Sequence, residues 1–168
     1  MRSWAVFDSP IQNALHTIKY RRNIGLADSV ALQMTEFVRA LCWNVDMLIP
    51  APLGKNRLKE RGYNQVGLVA RPLALELGML YAPNGLTKVR ETRSQVGLTI
   101  SQRRENVSQA YQADPSAVKR KSVLLMDDVA TTGSTISACT ESLLSAGATE
   151  VYALTIARAL AHHDLNRV

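Results

Sequence analysis

Cysteine is close to absent from this sequence: among 168 residues only Cys42 and Cys139 carry a thiol, with no CxxC pair and no Cys/His cluster. Zinc needs several nitrogen or sulfur ligands at short spacing, and a disulfide framework needs paired half-cystines, so neither is expected. His162 and His163 adjoin in a polar segment that offers no further ligands. Aromatics are scarce too, with two Trp, five Tyr and two Phe, and no group of them resembles a platform for stacking nucleic-acid bases. No apolar stretch approaches the ~20 residues that cross a bilayer. The opening Met-Arg-Ser-Trp lacks the apolar run and small-residue cleavage site of a secretory signal. A cytoplasmic protein without membrane insertion is therefore expected. The phosphate-binding fingerprints GxxxxGKS/T and strand-following GxGxxG are both missing, as are internal repeats and low-complexity segments.

What is present is an ordinary globular composition, 46% hydrophobic and 20% charged, in a length that favours one domain over residues 1–168. Twenty Lys and Arg against fourteen Asp and Glu leave a formal charge of +6. That surplus suits an anionic partner, either a multiply phosphorylated small molecule or a nucleic acid. It is clustered at Lys55, Arg57, Lys59 and Arg61, at Lys88, Arg90 and Arg93, and at Arg103 and Arg104. The run Lys119-Arg120-Lys121 precedes an apolar segment and reads as a solvated strand entry.

Along the chain, Ser9-Pro10 opens a helix over 10–22, with Ile11, Leu15 and Ile18 on one face. A second helix is expected over 27–42 with Asp28 as its cap. Residues 45–49 form a short strand stopped by Pro50 and Pro52. Residues 51–62 read as a basic loop marked by Gly54 and Gly62, and 64–77 as a helix ended by Gly78. A weak strand at 79–81, a polar segment over 83–99 and a short helix over 101–110 follow. The last third is clearest. Val123-Leu124-Leu125-Met126 is a continuous apolar run, as in a strand buried on both faces of a parallel sheet. A turn over 127–133, a helix over 134–146 and a strand over 151–156 complete a right-handed crossover unit, so the class is α/β.

Ligands of open α/β sheets bind beyond the carboxyl ends of the strands. Here that end carries Asp127-Asp128, followed by Val129-Ala130-Thr131-Thr132-Gly133-Ser134-Thr135. The first amides of a helix lack intrahelical acceptors and carry the positive end of its dipole. Gly133 permits close backbone approach, and the hydroxyls add donors, which together form a cup for a phosphate. Acids beside a phosphate repel it unless they bind the hydroxyls of an attached sugar. The competing reading takes these residues as turn and cap formers alone. The unbroken order of buried strand, paired acids, glycine turn and helix favours the binding site.

This segment resembles the phosphoribosyl pyrophosphate (PRPP) signature of type I phosphoribosyltransferases. The rest narrows the likeness to the ComF family, known from bacterial DNA uptake. Pro50-Ala51-Pro52-Leu53, Arg57 and Glu60-Arg61-Gly62-Tyr63-Asn64-Gln65 resemble its central block. Lys88-Val89-Arg90-Glu91-Thr92, Gln95, Leu98, Arg103 and Asn106 resemble a second block, and Ile18-Lys19-Tyr20-Arg21 and Thr155-Ile156-Ala157-Arg158 also fit. The likeness spans nearly the whole chain. Many members begin with a four-cysteine zinc module, which this sequence does not show, so the resemblance implies no partner or nucleic-acid contact through that module here.

The resemblance implies a type I phosphoribosyltransferase fold, with a mostly parallel central sheet flanked by helices. Helices over 1–44 with a small hood would precede a PRPP-binding core over 45–168. It implies ribose hydroxyls on Asp127 and Asp128 and the 5′-phosphate on Ala130, Thr131, Thr132, Gly133, Ser134 and Thr135. Mg2+ would bridge sugar and pyrophosphate, through PRPP and the two aspartates. Gly54, Lys55 and Arg57 lie at the correct strand end to hold pyrophosphate. Lys88, Arg90 and Arg103 lie in a segment, 88–105, read as the cover that closes over substrate and as the source of the catalytic cations. Arg61 and Gln65 either join this set or brace the helix that follows. Implied partners are PRPP, a nitrogen nucleophile of unknown identity, single-stranded DNA with other competence proteins, and a second copy in a homodimer.

Overall fold

The computed structural model describes residues 1–90 and 109–160. In chain order these form β1 (Arg2–Val6), α1 (Ser9–Arg21), α2 (Ile24–Ala40), β2 (Met47–Pro50), α3 (Lys55–Arg61), α4 (Gln65–Glu76) and β3 (Leu80–Tyr81). Then follow β4 (Leu86–Lys88), β5 (Tyr111–Ala113), α5 (Pro115–Val118), β6 (Ser122–Ala130), α6 (Ser134–Ser145) and β7 (Glu150–Arg158). The main sheet has five strands in the order β1-β7-β6-β2-β3, and every pairing in it is parallel. β4 and β5 form a separate antiparallel pair.

Alternation along the central strands sorts the core into two layers. Leu48, Leu124, Met126, Leu154 and Ile156 face the side covered by α1, α2 and α4. Met47, Ile49, Val123, Leu125 and Ala153 face α6, α5 and the β4–β5 pair. Burial on both faces explains why β6 shows no polar alternation over 123–126. Residues 1–40 are built into this layered body, contributing an edge strand beside β7 and two helices on one face.

Several expectations shift. α2 starts at Ile24, capped by the Asn23 side chain on the Leu26 amide at 2.9 Å, so Asp28 lies inside the helix. Residues 55–61, expected as loop, are α3, with Gly54 and Gly62 as its two caps. This helix buries no residue, so no apolar periodicity marked it, and its flanking glycines are terminators of a helix. β6 runs on through the acids to Ala130, because Asp127, Val129 and Ala130 still pair with Thr155, Ala157 and Arg158 of β7. The turn is confined to 131–133. The expected helix over 101–110 falls almost wholly outside the described residues. Among the described residues no helix is long and apolar enough to cross a membrane.

Candidate functional site

The site forms where β6 passes into α6 at the carboxyl edge of the sheet. Gly133 caps α6 with φ 76°, a left-handed conformation that glycine adopts without strain. The turn is held by a 2.7 Å hydrogen bond between the Thr132 and Ser134 hydroxyls and by the Ser137 amide donating to the Gly133 carbonyl at 2.9 Å. Around it lies a small polar cup of about 40 Å³, lined by Asp127 and by residues 129–131 and 133–136. An acid and the opening residues of a helix therefore share one concavity.

The two aspartates differ in surroundings. Asp127 faces the α6 layer, where its charge acts on Tyr111 and on the buried Cys139. Burial, and then the neighbouring Asp128 carboxylate, hold the Asp127 carboxyl well above the usual carboxylate range, while the Lys88 ammonium pulls it down. Asp127 Oδ1 accepts from the Asp128 amide at 2.9 Å. Asp128 faces α4. Its Oδ2 accepts from Gln65 Nε2 at 2.9 Å and its Oδ1 from the Val129 amide at 2.8 Å.

Lys88 on β4 brings its ammonium 5.7 Å from the centre of the Tyr111 ring. Tyr111, on β5, is buried, and its hydroxyl hydrogen-bonds the Thr135 side chain. Burial, then Cys139 and Asp127, push its phenol well up, against the Thr135 bond and the positive charge of Arg57. So β4, β5 and α3 converge on the same spot from three parts of the chain. Lys55 and Arg57 stand exposed at the start of α3, and Gly54 is buried at its N-cap. The 51–54 loop is moored to β6 by the Ala51 amide donating to the Met126 carbonyl at 2.7 Å. Asn64 Nδ2 donates to the Ala51 carbonyl at 2.9 Å. Arg90 is exposed, its amide 3.4 Å from the Ala110 carbonyl. Arg103 lies outside the described residues.

Two contacts of this site are not legible in any local sequence pattern. Tyr111 sits in a strand of three residues, too short for a period-2 signal. Gln65 stands in the expected central block, but its bond to Asp128 spans 63 positions of sequence, and no local pattern reports such a contact. For a hard cation such as magnesium, the two carboxylates are suitable oxygen donors. Among the described residues no three His, Cys, Asp or Glu side chains gather, so further ligands would come from a bound phosphate and water.

Comparison with known proteins agrees with this fold. The family model described as phosphoribosyl transferase domain matches residues 61–166. The DNA utilization protein YhgH of Salmonella typhi is 29% identical over 159 residues, covering 92% of this chain and 70% of that protein. Competence protein F of Haemophilus influenzae is 34% identical over 116 residues, 68% of this chain and 51% of that one. Among solved structures, the glutamine PRPP amidotransferase of B. subtilis superposes with a TM-score of 0.57 at 21% identity. That match takes in 82% of this chain and 28% of the amidotransferase, and it shows the fold. The chain belongs to the phosphoribosyl transferase domain family, as a ComF-type protein with the type I phosphoribosyltransferase fold.

Proposed function

We propose that this protein binds PRPP at the end of β6 and, with Mg2+, transfers the phosphoribosyl group to a nitrogen nucleophile with release of pyrophosphate. The observation that carries the reading is Asp127 lining the same cup as the first residues of α6. In this reading residues 130–135 grip the 5′-phosphate through amides and hydroxyls, while Asp127 and Asp128 accept hydrogen bonds from the ribose hydroxyls. Lys88 and Arg57, both acting on Tyr111 beside the cup, stand opposite the pyrophosphate, with Lys55 and the Gly54 backbone nearby. As the bond from the anomeric carbon to pyrophosphate breaks, positive charge builds on the sugar and negative charge on the leaving group. Asp127 and Asp128 stabilise the first and the cations the second. Magnesium, when bound, adds charge neutralisation on the pyrophosphate. Arg90 and Arg103 complete the cation set as the 88–105 segment closes and excludes water.

Calorimetry with PRPP and Mg2+, followed by pyrophosphate release against a panel of nitrogen nucleophiles, tests the proposal. Saturable binding and release with one nucleophile support it. A chain that neither binds PRPP nor releases pyrophosphate overturns it.

A second reading, a nucleic-acid-associated factor of DNA uptake in which the PRPP site is regulatory or vestigial, draws on the names of the relatives and on one surface. Tyr20 is 58% exposed, and the cations of Lys19 and Arg61 each lie 5.4 Å from its ring centre. Binding of a single-stranded oligonucleotide whose log affinity falls linearly with log salt supports this second role. Absence of salt-dependent binding removes it.

A further inference from the structure

Gln65 is a polar side chain only 6% exposed, at the first position of α4, and neither catalysis nor helix capping requires an amide there. The cap is already Asn64, whose side chain accepts from the Val66 amide at 3.0 Å. Both ends of the Gln65 amide are used. Its Nε2 donates to Asp128 Oδ2 at 2.9 Å, and its Oε1 accepts from Arg61 Nη1 at 3.1 Å. The orientation is forced by chemistry, since a guanidinium can only donate and an ionised carboxylate can only accept. Arg61 is itself anchored, its guanidinium 5.4 Å from the Tyr20 ring centre. Arg61, Gln65 and Asp128 thus form one polarised row from the end of α1 to the sugar-binding end of β6.

Without Gln65, the Asp128 carboxylate keeps the bond from the next amide in its own strand, to Oδ1, and its contact with the Asp127 carboxyl, and loses the donor that α4 sets on Oδ2. Partners drawn from its own strand alone leave the terminal torsion of an aspartate freer to swing, because that torsion is broad. Two donors on different oxygens fix the carboxylate plane and leave the remaining lone pairs facing a ligand. We infer that Gln65, polarised by Arg61, is the positioning residue that sets the Asp128 carboxylate for sugar binding. The inference rests on the PRPP reading of this site and adds to it a residue outside the signature segment.

The test is calorimetric titration of PRPP with Mg2+ into the full chain as wild type, Gln65→Met, Gln65→Glu, Asp128→Asn and the combined Gln65→Met with Asp128→Asn. Gln65→Met should weaken binding about tenfold, as for loss of a hydrogen bond to a charged group. Gln65→Glu keeps the shape but turns the donor into an acceptor facing Asp128, so it should weaken binding more than Gln65→Met. A packing role predicts the opposite order. In the Asp128→Asn background, Gln65→Met should add no further loss. Wild-type affinity in Gln65→Glu, or multiplying losses in the combined variant, overturns the inference while leaving the PRPP reading intact. A wild-type chain that does not bind PRPP overturns both. Thermal melts confirm that each variant is folded at the assay temperature, and if Gln65→Met does not fold, Gln65→Glu runs the same cycle.

Discussion

Asp127 and Asp128 are neighbours in sequence, yet they leave β6 on opposite faces of the sheet, one toward Lys88 and Cys139 and the other onto Gln65 of α4. Strand geometry requires this, since successive side chains alternate. Each acid therefore has its own distant partners while the two still act on each other, through the Asp128 amide on Asp127 Oδ1 and through their charges.

Asp127→Asn should stabilise the ligand-free chain at neutral pH while weakening PRPP binding by roughly 10- to 100-fold, the cost of a charge-assisted hydrogen bond. The sign follows from linkage. The folded chain raises the Asp127 pKa, so between the ordinary carboxylate value and the raised one it holds a proton that the unfolded chain has lost. Stability contributed by this group falls as pH rises through that window. Thermal melts across pH should show the mutant's advantage growing with pH and vanishing below about pH 4. An advantage that does not change with pH contradicts the assignment.

Asp128→Asn should weaken PRPP binding by a similar factor and, by removing the neighbouring charge that helps hold the Asp127 carboxyl up, bring part of the same pH-dependent gain. It replaces the charged acceptor of the Gln65 amide with a neutral one. Melts across pH should show a larger gain for Asp127→Asn than for Asp128→Asn, since burial is the larger cause of the raised Asp127 pKa.

Gly133→Ala tests the turn alone. The glycine has φ +76°, and an added Cβ would meet no atom within 4 Å, so the cost is backbone conformation and not crowding. A loss of about 1–2 kcal/mol in urea unfolding is expected. A neutral substitution would show that the cap is not left-handed.

Tyr111→Phe removes the hydroxyl that Thr135 engages beside the cup. Stability should drop by about 1 kcal/mol, with weaker PRPP binding. Because burial, Cys139 and Asp127 push this phenol up, Tyr111 should be the last tyrosine to ionise in an alkaline ultraviolet titration, and the variant should lack that step.

Tyr63→Phe probes the far side of the same block. The Tyr63 hydroxyl lies 2.9 Å from both the Ile18 and Lys19 carbonyls at the end of α1 and accepts from the Arg22 amide at 3.1 Å. Its loss leaves helix-end groups unpaired, and about 1–2 kcal/mol of stability should go. PRPP affinity should stay near wild type, because this hydroxyl faces α1.

Much of this protein is readable from local pattern. The apolar run at 123–126 fits a doubly buried strand, and the glycine and hydroxyl residues after it fit a tight turn into a helix. The class, the crossover unit and the position of the cup follow from these segments because each is determined by residues adjacent in sequence. Four elements stayed hidden for matching physical reasons. α3 has no buried face to create a period. β4 and β5, three residues each, are too short to show one. β1 is an edge strand, partly exposed along its middle and fully so at both ends.

Local chemistry thus determined that an acidic strand end meets a helix start, and what kind of ligand such a junction suits. Only the packed chain decided which distant residues surround it: Lys88 and Tyr111 across the β4–β5 pair, Arg57 from α3, and Gln65 behind Asp128. Those contacts join positions dozens of residues apart, and they exist because burying both faces of one parallel sheet brings its helices and the small hairpin to the same edge.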